Sequence, residues 1–354
     1  MTTTAPAMPD STTDLRRRAL EGHGGVIRRR VLTLVALAVL LAASFVFDLM
    51  TGPARLALPE IVNALFGGSD STASAIIWQV RLPTACLAVL IGGCLGLAGA
   101  EMQTMLANPL ASPFTLGISS AAAFGAALAI VLGVSLPFIP AGFAVPANAF
   151  VFSLLTILLI QLIANRQSGG APLVLFGIAM VFAFNALVSA LQFVATADSL
   201  QQLVFWTMGS LTRADGFSVS VLAVALIAIL PFSMRASRAL TLLELGEERA
   251  ESLGISIRGL RFGCLLRASL LAAFAVSFAG TIGFVGLAGP HVSRMLIGGD
   301  HRFHLPASVL CGAIIMSLSS IASKTILPGV LLPIGIVTTL VGLPFFVILL
   351  MRAR

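Results

Sequence analysis

Few side chains in this sequence of 354 residues could do chemistry, and their spacing does not assemble a catalytic or metal-binding site. The only lysine is Lys324, and Ser323 precedes it where a phosphate-binding loop needs glycine, so the sequence has no GxxxxGK[ST] motif. His291, His301 and His304 could ligate haem or a metal ion, but capping and loop hydrogen bonds are commoner roles for such histidines. We therefore expect no catalytic residue, no metal ligand and no cofactor on this chain.

Glu101 is the carboxylate best placed to serve as a proton or sodium site. Carboxylates inside membrane spans commonly serve as proton or sodium sites in ion-coupled carriers. Glu101 lies near one end of an apolar run, close enough to the cytoplasm to snorkel, whereas Asp48 and Asp198 lie at the edges of runs. One such residue does not make a proton relay. One possible function is therefore an ion-coupled secondary transporter that uses Glu101, and it stays open as the alternative to the function inferred below.

The composition predicts that membrane helices position these residues. The chain is 58% hydrophobic and 10% charged, with a mean hydropathy of +1.04, whereas soluble domains are about 25% charged. A helical span needs about 20 apolar residues. Nine runs fit: 31–50, 84–106, 114–136, 143–164, 172–195, 217–233, 262–285, 305–327 and 333–351.

A short apolar segment near 288–298 decides the number of spans. If this segment crosses, most arginines fall on the cytoplasmic side, as the positive-inside rule favours. The sequence thus predicts an all-α integral membrane protein of about ten transmembrane helices, with both termini cytoplasmic. Residues 1–30 would be a polar cytoplasmic segment, and residues 31–354 a single membrane-spanning domain.

The net charge of +7 does not indicate a nucleic-acid partner. The arginines lie at the ends of apolar runs, where cytoplasmic loops of membrane proteins concentrate positive charge. No basic stripe with interleaved aromatic residues is present. We therefore expect a lipid bilayer, and no nucleic acid, around this chain.

The polar segment 235–261 is the longest between the spans. Its leucines recur among charged residues, and Gly246 and Gly254 break the pattern, which predicts two short amphipathic helices joined by a turn. Such a segment is long enough to dock a soluble partner, and a pair of membrane-surface helices without a partner is the alternative. Because the chain has no ATP-binding loop of its own, a separate motor subunit would act here.

Six ordered motifs carry a resemblance to a known family. They are WQVRLPT from Trp78, GLAGAEMQTMLANPLASPFTLGISSAAAFGA from Gly96, FWTMGSL from Phe205, LGEERAESLGI from Leu245, AGTIGFVGLAGPHVSRMLIGGDHRFHLP from Ala279, and LPIGIVTTLVGLPFF from Leu332. From about Val31 to Met351 the chain resembles the FecCD-type permease subunits of type II ABC importers for ferric siderophores, haem and cobalamin.

The resemblance implies a set of partners and a direction of transport. In that family two permease subunits form the channel, two ATPase subunits bind ATP and Mg and dock underneath, and a periplasmic binding protein delivers a metal chelate. We therefore expect an import permease in the bacterial inner membrane, with a ferric siderophore as the favoured cargo and haem or cobalamin as the others. The second permease could be a copy of this chain or a relative.

The resemblance also implies roles for particular residues. The residues expected to couple to the ATPase are Glu244, Gly246, Glu247, Glu248, Arg249, Leu253 and Gly254. Arg81 and Lys324 match positions that grip acidic residues of the binding protein. The family often has a second arginine where Thr84 stands, so this grip would be weaker or shared with Arg55 or Arg213.

The translocation pathway is expected along the fifth span. Asn185, Ser189 and Gln192 lie there at helical spacing, and helix–helix hydrogen bonding is an equal alternative for them. The gate region would be Gly170 and Ala171, just before that span. Cobalamin members of the family have small polar residues at this place, whereas this sequence reads Ser-Gly-Gly-Ala from residue 168, so a polar gate is not indicated.

Overall fold

The computed structural model describes residues 12–52, 56, 58–66, 72–164, 171–327 and 329–352. Within these ranges the chain is helical and contains no strand. The first seven helices are α1 (Thr12–Met50), α2 (Leu58–Phe66), α3 (Thr72–Ile76), α4 (Leu82–Met105), α5 (Ile118–Leu132), α6 (Ala144–Ala164) and α7 (Ala171–Val194). The other seven are α8 (Ala197–Thr207), α9 (Gly216–Leu243), α10 (Glu247–Ser252), α11 (Ile257–Ala279), α12 (Val285–Ile297), α13 (His301–Thr325) and α14 (Ile334–Arg352).

Seven helical segments of the described chain are long and apolar enough to cross a membrane. They are Gly24–Met50, Thr72–Met105, Ala141–Ile163, Pro172–Val194, Gly216–Leu243, Ile257–Ala279 and His301–Thr325. The second includes a π-helical turn, Ile77–Arg81, and the third a 3₁₀ turn, Ala141–Phe143. Two shorter apolar helices are Ile118–Leu132 and Ile334–Pro344. These nine segments match the nine apolar runs of the sequence.

The tenth segment contains α12 and the residues before it. The α12 helix spans about 20 Å, less than the roughly 30 Å hydrocarbon core, and the non-helical residues 280–284 before it lengthen the segment. At one end, Arg294 bonds Glu244, which follows α9; at the other, the Ser210 amide, which precedes α9, donates to the Ala279 carbonyl at 2.7 Å. Segment 280–297 therefore runs the length of α9, and the fold has about ten transmembrane helices.

The core of the bundle is α4, which α9, α11, α12 and α13 surround. Glycines allow the closest approaches, as is common between membrane helices. A methyl group on Gly99 would collide with the backbone of Gly286 on α12, and one on Gly312 of α13 would collide with the backbone of Gly92. Three helices, α4, α12 and α13, therefore pack backbone to backbone as one unit.

The first span continues from the polar N-terminal segment without a break. α1 runs from Thr12 to Met50, so the expected boundary at residue 30 lies inside one helix. The Arg30 guanidinium on α1 donates to the Ile297 carbonyl at 3.2 Å and to Asp300 Oδ2 at 2.9 Å. These contacts fix α1 against the end of α12 and the start of α13. The division into a segment 1–30 and a domain 31–354 stays a prediction.

Candidate functional site

The segment between α9 and α11 contains one short helix, α10, rather than the two that the sequence predicted. Residues 235–243 continue α9, because neither glycine nor proline interrupts the chain between Pro231 and Gly246. Gly246 has a φ of 107° before α10 and Gly254 a φ of 83° after it, angles that favour glycine. The prediction of a separate first helix is therefore wrong. The prediction that Gly246 and Gly254 interrupt the helices is confirmed.

The α10 helix and its flanks form an exposed surface of mixed character. Leu245 and Leu253 expose 54% and 60% of their surface, and Glu248 and Arg249 lie exposed between them. Ala250 is fully buried and anchors the helix on the bundle. Exposed leucines beside charged side chains are typical of protein contact surfaces. The expected coupling residues Glu248, Arg249 and Leu253 are thus accessible to a partner.

Two other expected coupling residues are exposed but form ion pairs within the chain. Glu247 accepts a hydrogen bond from Arg261 of α11 at 2.8 Å. Glu244 accepts one from Arg294 of α12 at 2.6 Å. These carboxylates join the loop to two membrane helices, so they support α10 rather than extend from it. Spacing in the sequence did not indicate either partner.

Arg81 and Lys324, the expected docking residues, meet at the opposite end of the bundle, and both are engaged within the chain. Arg81 is 4% exposed and donates to the Leu49 carbonyl at 2.9 Å. Lys324 bonds Asp48 Oδ1 at 2.7 Å, and the Ser320 hydroxyl donates to the same oxygen at 3.0 Å. Sequence reasoning placed Asp48 at a span edge but missed this pairing. Docking by these two cations stays a prediction.

A cavity of about 640 Å³ opens beside these cations. Its lining includes polar groups from five parts of the chain: Arg81, Thr84, Asp198, Gln201, Arg213 and Lys324. Arg213, one of the two alternative docking residues, therefore lies at the same cavity. The other alternative, Arg55, lies outside the described residues. The cavity is mostly apolar with a cationic side, which suits an amphipathic ligand or an acidic protein side chain.

The expected pathway residues lie on one face of α7. Asn185 and Ser189 are exposed in the single chain, and Gln192 is half-buried. Helix α7 packs mainly against α5 and α6, which leaves this face without a partner among the described residues. Of the expected gate residues, Gly170 lies outside the described residues and Ala171 is the first residue of α7.

Two of the three histidines singled out in the sequence, His301 and His304, form hydrogen bonds within the bundle. His301 is fully buried, with Nε2 at 2.7 Å from Thr104 Oγ1 and Nδ1 at 3.2 Å from Thr241 Oγ1. His304 Nδ1 lies 2.9 Å from Ser293 Oγ. Across the described part of the chain, no three His, Cys, Asp or Glu side chains are grouped so as to hold a metal ion.

Asp300 forms ion pairs with two arginines at the α10 end of the bundle. Arg302 donates to Oδ1 at 3.0 Å and to Oδ2 at 2.7 Å, and Arg30 donates to Oδ2 at 2.9 Å. The hydrogen bonds from Arg302 and the two positive charges hold the pKa of Asp300 below its usual value. Asp300 also caps the first turn of α13 by accepting from the Arg302 amide.

Glu101 is a buried ion-pair partner rather than a snorkelling carboxylate. It is 1% exposed, and Arg267 of α11 donates to its Oε1 at 3.0 Å. Arg267 in turn lies 3.2 Å from Cys264 Sγ. A carboxylate enclosed with its own arginine lacks the access to water that a proton site needs, so the geometry does not favour the ion-coupled alternative.

The chain has about ten membrane helices, a small charged helix exposed at one end and a cavity at the other. These features are those of a membrane transport permease. The exposed α10 offers a surface for a soluble subunit, and α7 leaves a partly polar face open to water or to a second membrane subunit.

Comparison with known proteins identifies the family. A model of the FecCD transport family matches residues 40–352. The hemin transport system permease protein of Yersinia pestis is 38% identical over 84% of this chain and 90% of its own length. The vitamin B12 import system permease protein of Salmonella newport is 33% identical over 92% and 97%. A solved inward-facing conformation of a metal-chelate type ABC transporter aligns with a TM-score of 0.81 and 32% identity, over 90% of this chain and 99% of that one.

The chain belongs to the FecCD transport family, and its fold is that of a type II ABC importer permease. The family assignment and the multi-span fold agree with the sequence prediction. A permease subunit of this kind moves a solute and is not itself the catalyst of ATP hydrolysis.

Proposed function

We propose that this chain is the membrane subunit of an importer that carries a metal chelate from the periplasm to the cytoplasm across a bacterial inner membrane. The named relatives carry hemin and vitamin B12, and the solved structure is of metal-chelate type, which supports this class of cargo. Within the class we propose an iron chelate, with a ferric siderophore first and haem or cobalamin as the other cargoes.

The exposed α10 helix is the observation that carries this proposal. An uphill transporter without a nucleotide site needs a motor, and α10 with its two flanking leucines offers an apolar and charged surface on an ion-paired base. We assign segment 235–261 to coupling with an ATPase subunit that binds ATP and Mg. The α10 end is then cytoplasmic, and the start of α1 and the end of α14 lie on that side with it.

The complete importer would contain three kinds of protein contact around this chain. A second permease, identical or related, covers the open face of α7, where Asn185, Ser189 and Gln192 line the pathway. Two ATPase subunits dock at the α10 helices of the two permease subunits. A periplasmic binding protein docks at the cavity that Arg81 and Lys324 line, where Asp48 and the carbonyls at the end of α1 fix the two cations in position.

Substitution of an exposed leucine tests the role of α10. We expect Leu245→Asn to release the co-purifying ATPase and to abolish ATP-driven uptake of a radiolabelled chelate in proteoliposomes. Val26→Asn is the matched control, because Val26 is 48% exposed on α1 against 54% for Leu245. A ferric hydroxamate, haemin and cyanocobalamin serve as the probes. Unchanged ATPase binding and uptake in Leu245→Asn would refute the coupling role.

The same vesicles separate this proposal from an ion-coupled carrier. ATP enclosed with the ATPase subunit should drive uptake whether or not an uncoupler is present. Uptake by the purified chain alone, abolished by an uncoupler and by Glu101→Gln, would instead favour the carrier.

A further inference from the structure

Four helix ends meet beside α10 in one hydrogen-bonded cluster, which we name the Glu244 clamp. Its members are Thr104 at the end of α4, Thr241 and Glu244 at the end of α9, Arg294 in the last turn of α12, and His301 at the start of α13. Glu244 is the residue that follows α9, and it lies within the coupling segment, three positions before the start of α10. The clamp is therefore, beside Ala250 and the Glu247–Arg261 pair, a third point where the segment that carries α10 is fastened to the bundle.

The contacts of the clamp form a continuous chain. Arg294 Nη1 donates to Glu244 Oε1 at 2.6 Å, and Arg294 Nη2 lies 3.5 Å from Thr104 Oγ1. Thr104 Oγ1 is 2.7 Å from His301 Nε2, and Glu244 Oε1 is 4.0 Å from the same nitrogen. The His301 amide donates to Thr241 Oγ1 at 3.0 Å. Every link joins two different helices, so no link is satisfied by local structure alone.

The hydrogen-bond directions in the clamp are mutually consistent. Thr241 donates its hydroxyl hydrogen to the Ser237 carbonyl at 2.9 Å, so it can only accept from the His301 ring at 3.2 Å. The ring hydrogen is then on Nδ1, and Nε2 accepts from Thr104. Thr104 in turn accepts from Arg294. With the ring hydrogen on Nδ1, each of these donors has an acceptor on another helix or in its own turn, which favours a rigid network.

The clamp connects α10 to the helices that pack most closely. α4, α12 and α13 meet through Gly99, Gly286 and Gly312 with no side chain between their backbones. If the end of α9 moved without contacts to other helices, local bending of α9 would absorb the movement. Through Arg294, Thr104 and His301 the same displacement reaches three helices that must move as one body.

We propose that the Glu244 clamp, with Arg294 and His301 as positioning residues, transmits the motion of the coupling helix to the α4–α12–α13 unit. This inference rests on the proposed function and adds Thr104, Arg294 and His301, which lie outside the coupling segment 235–261 and outside the pathway face of α7. Loss of the clamp through Arg294, which lies outside the coupling segment, should leave ATP hydrolysis and subunit assembly in place while the amount of chelate moved per ATP falls.

The test measures uptake and ATP hydrolysis in the same proteoliposomes, which contain the full permease with its ATPase and binding protein. We expect Glu244→Gln and Arg294→Gln to lower the uptake per ATP about tenfold, and Arg294→Lys, which keeps the charge, to recover part of it. Arg30→Gln is the matched control, because it removes another ion pair at the same end of the bundle, one of 2.9 Å to Asp300. The control should keep the wild-type ratio.

Three outcomes would overturn the proposal or its basis. A normal ratio in both Gln variants would refute the clamp while leaving the import function intact, and an equal loss in Arg30→Gln would show a general effect of losing ion pairs. If the charge variants do not assemble, Thr104→Val and Thr241→Val remove single hydroxyls at nearly constant volume and decide the matter, with about a threefold loss expected. Absence of ATP-driven uptake in the wild type would instead refute the proposed function.

Discussion

Glu101 and Arg267 are opposite charges that meet inside the bundle, and their side chains are 1% and 16% exposed. Removal of one member of a buried pair typically costs about 3–5 kcal/mol, whereas replacement of both by apolar residues is close to neutral. We expect Arg267→Met to lower the thermal midpoint sharply in detergent, as followed by size-exclusion chromatography after heating. The double variant Glu101→Leu with Arg267→Met should recover most of the loss.

The double variant also bears on the energy source. If Glu101 serves only as the partner of Arg267, ATP-driven uptake should persist once both charges are gone. Loss of uptake in a double variant that is folded and still binds the ATPase would contradict a purely structural pair and would return Glu101 to consideration as an ion site.

Asp300 makes a pH-dependent contribution to stability. Its pKa in the folded protein is lowered by the hydrogen bonds from Arg302 and by the nearby arginines, so its stabilisation is full above the unfolded pKa and is lost as the pH falls through the folded pKa. Asp300→Asn keeps the cap on α13 but removes the charge. We expect a loss of about 1 kcal/mol or less at neutral pH, because Arg302 is half exposed.

The measurement for Asp300 is the difference in thermal midpoint between wild type and variant at several pH values. This difference should narrow as the pH falls below about 4, near the ordinary pKa of an aspartate. A gap that stayed constant down to pH 3 would show that the charge of Asp300 does not stabilise the fold, and that the side chain acts through its cap alone.

Close packing of α4 against α12 and α13 makes particular glycines indispensable at the scale of the helices. A methyl group at Gly99 would overlap the Gly286 carbonyl of α12, which is backbone and cannot rotate away. We expect Gly99→Ala to destabilise the chain by about 2 kcal/mol, within the range for overpacking of a core. Gly25→Ala is the control on α1, where nothing lies within 4 Å and alanine should be neutral or stabilising. Equal midpoints for the two variants would contradict the packing argument.

The helices follow from the sequence to different degrees, and the physical reasons differ. Hydropathy locates the spans because a helix needs about 20 apolar residues to cross the hydrocarbon core of the membrane. It does not locate the end of α9, which extends to Leu243 past the apolar run, because nothing in residues 235–243 breaks a helix. Gly246 and Gly254 could be recognised as helix breakers because a positive φ favours glycine, and glycine is visible in the sequence.

The ion pairs could not be predicted from the sequence. Asp48 with Lys324, Glu101 with Arg267, and Glu244 with Arg294 each join different helices far apart along the chain. Their meeting depends on how each helix is rotated about its axis, and that rotation is fixed by the glycine contacts of the core. Local spacing reports only which side chains share a face of one helix. The residues expected for docking and coupling were therefore identified without the partners that hold them.

At the scale of the whole molecule, the open face of α7 indicates what surrounds this chain. Phe182, Asn185 and Ser189 follow one another at spacings of three and four and are all exposed. An amide and a hydroxyl exposed to hydrocarbon would be unfavourable, whereas they suit water or another protein surface. Ala183 is also exposed but lies about 200° around the helix from Asn185, on the side where lipid can contact it.

This difference between the two sides of α7 predicts a labelling pattern in the assembled importer. Cysteines introduced as Asn185→Cys and Ser189→Cys should react with a membrane-impermeant maleimide, because a thiol needs water to ionise before it reacts. Ala183→Cys should react about tenfold more slowly, because lipid keeps its thiol protonated. The unsubstituted chain, whose cysteines at 94, 264 and 311 are buried and whose Cys86 is half-buried, sets the background. Faster labelling at position 183 than at 185 would place the pathway on another helix and the second subunit elsewhere.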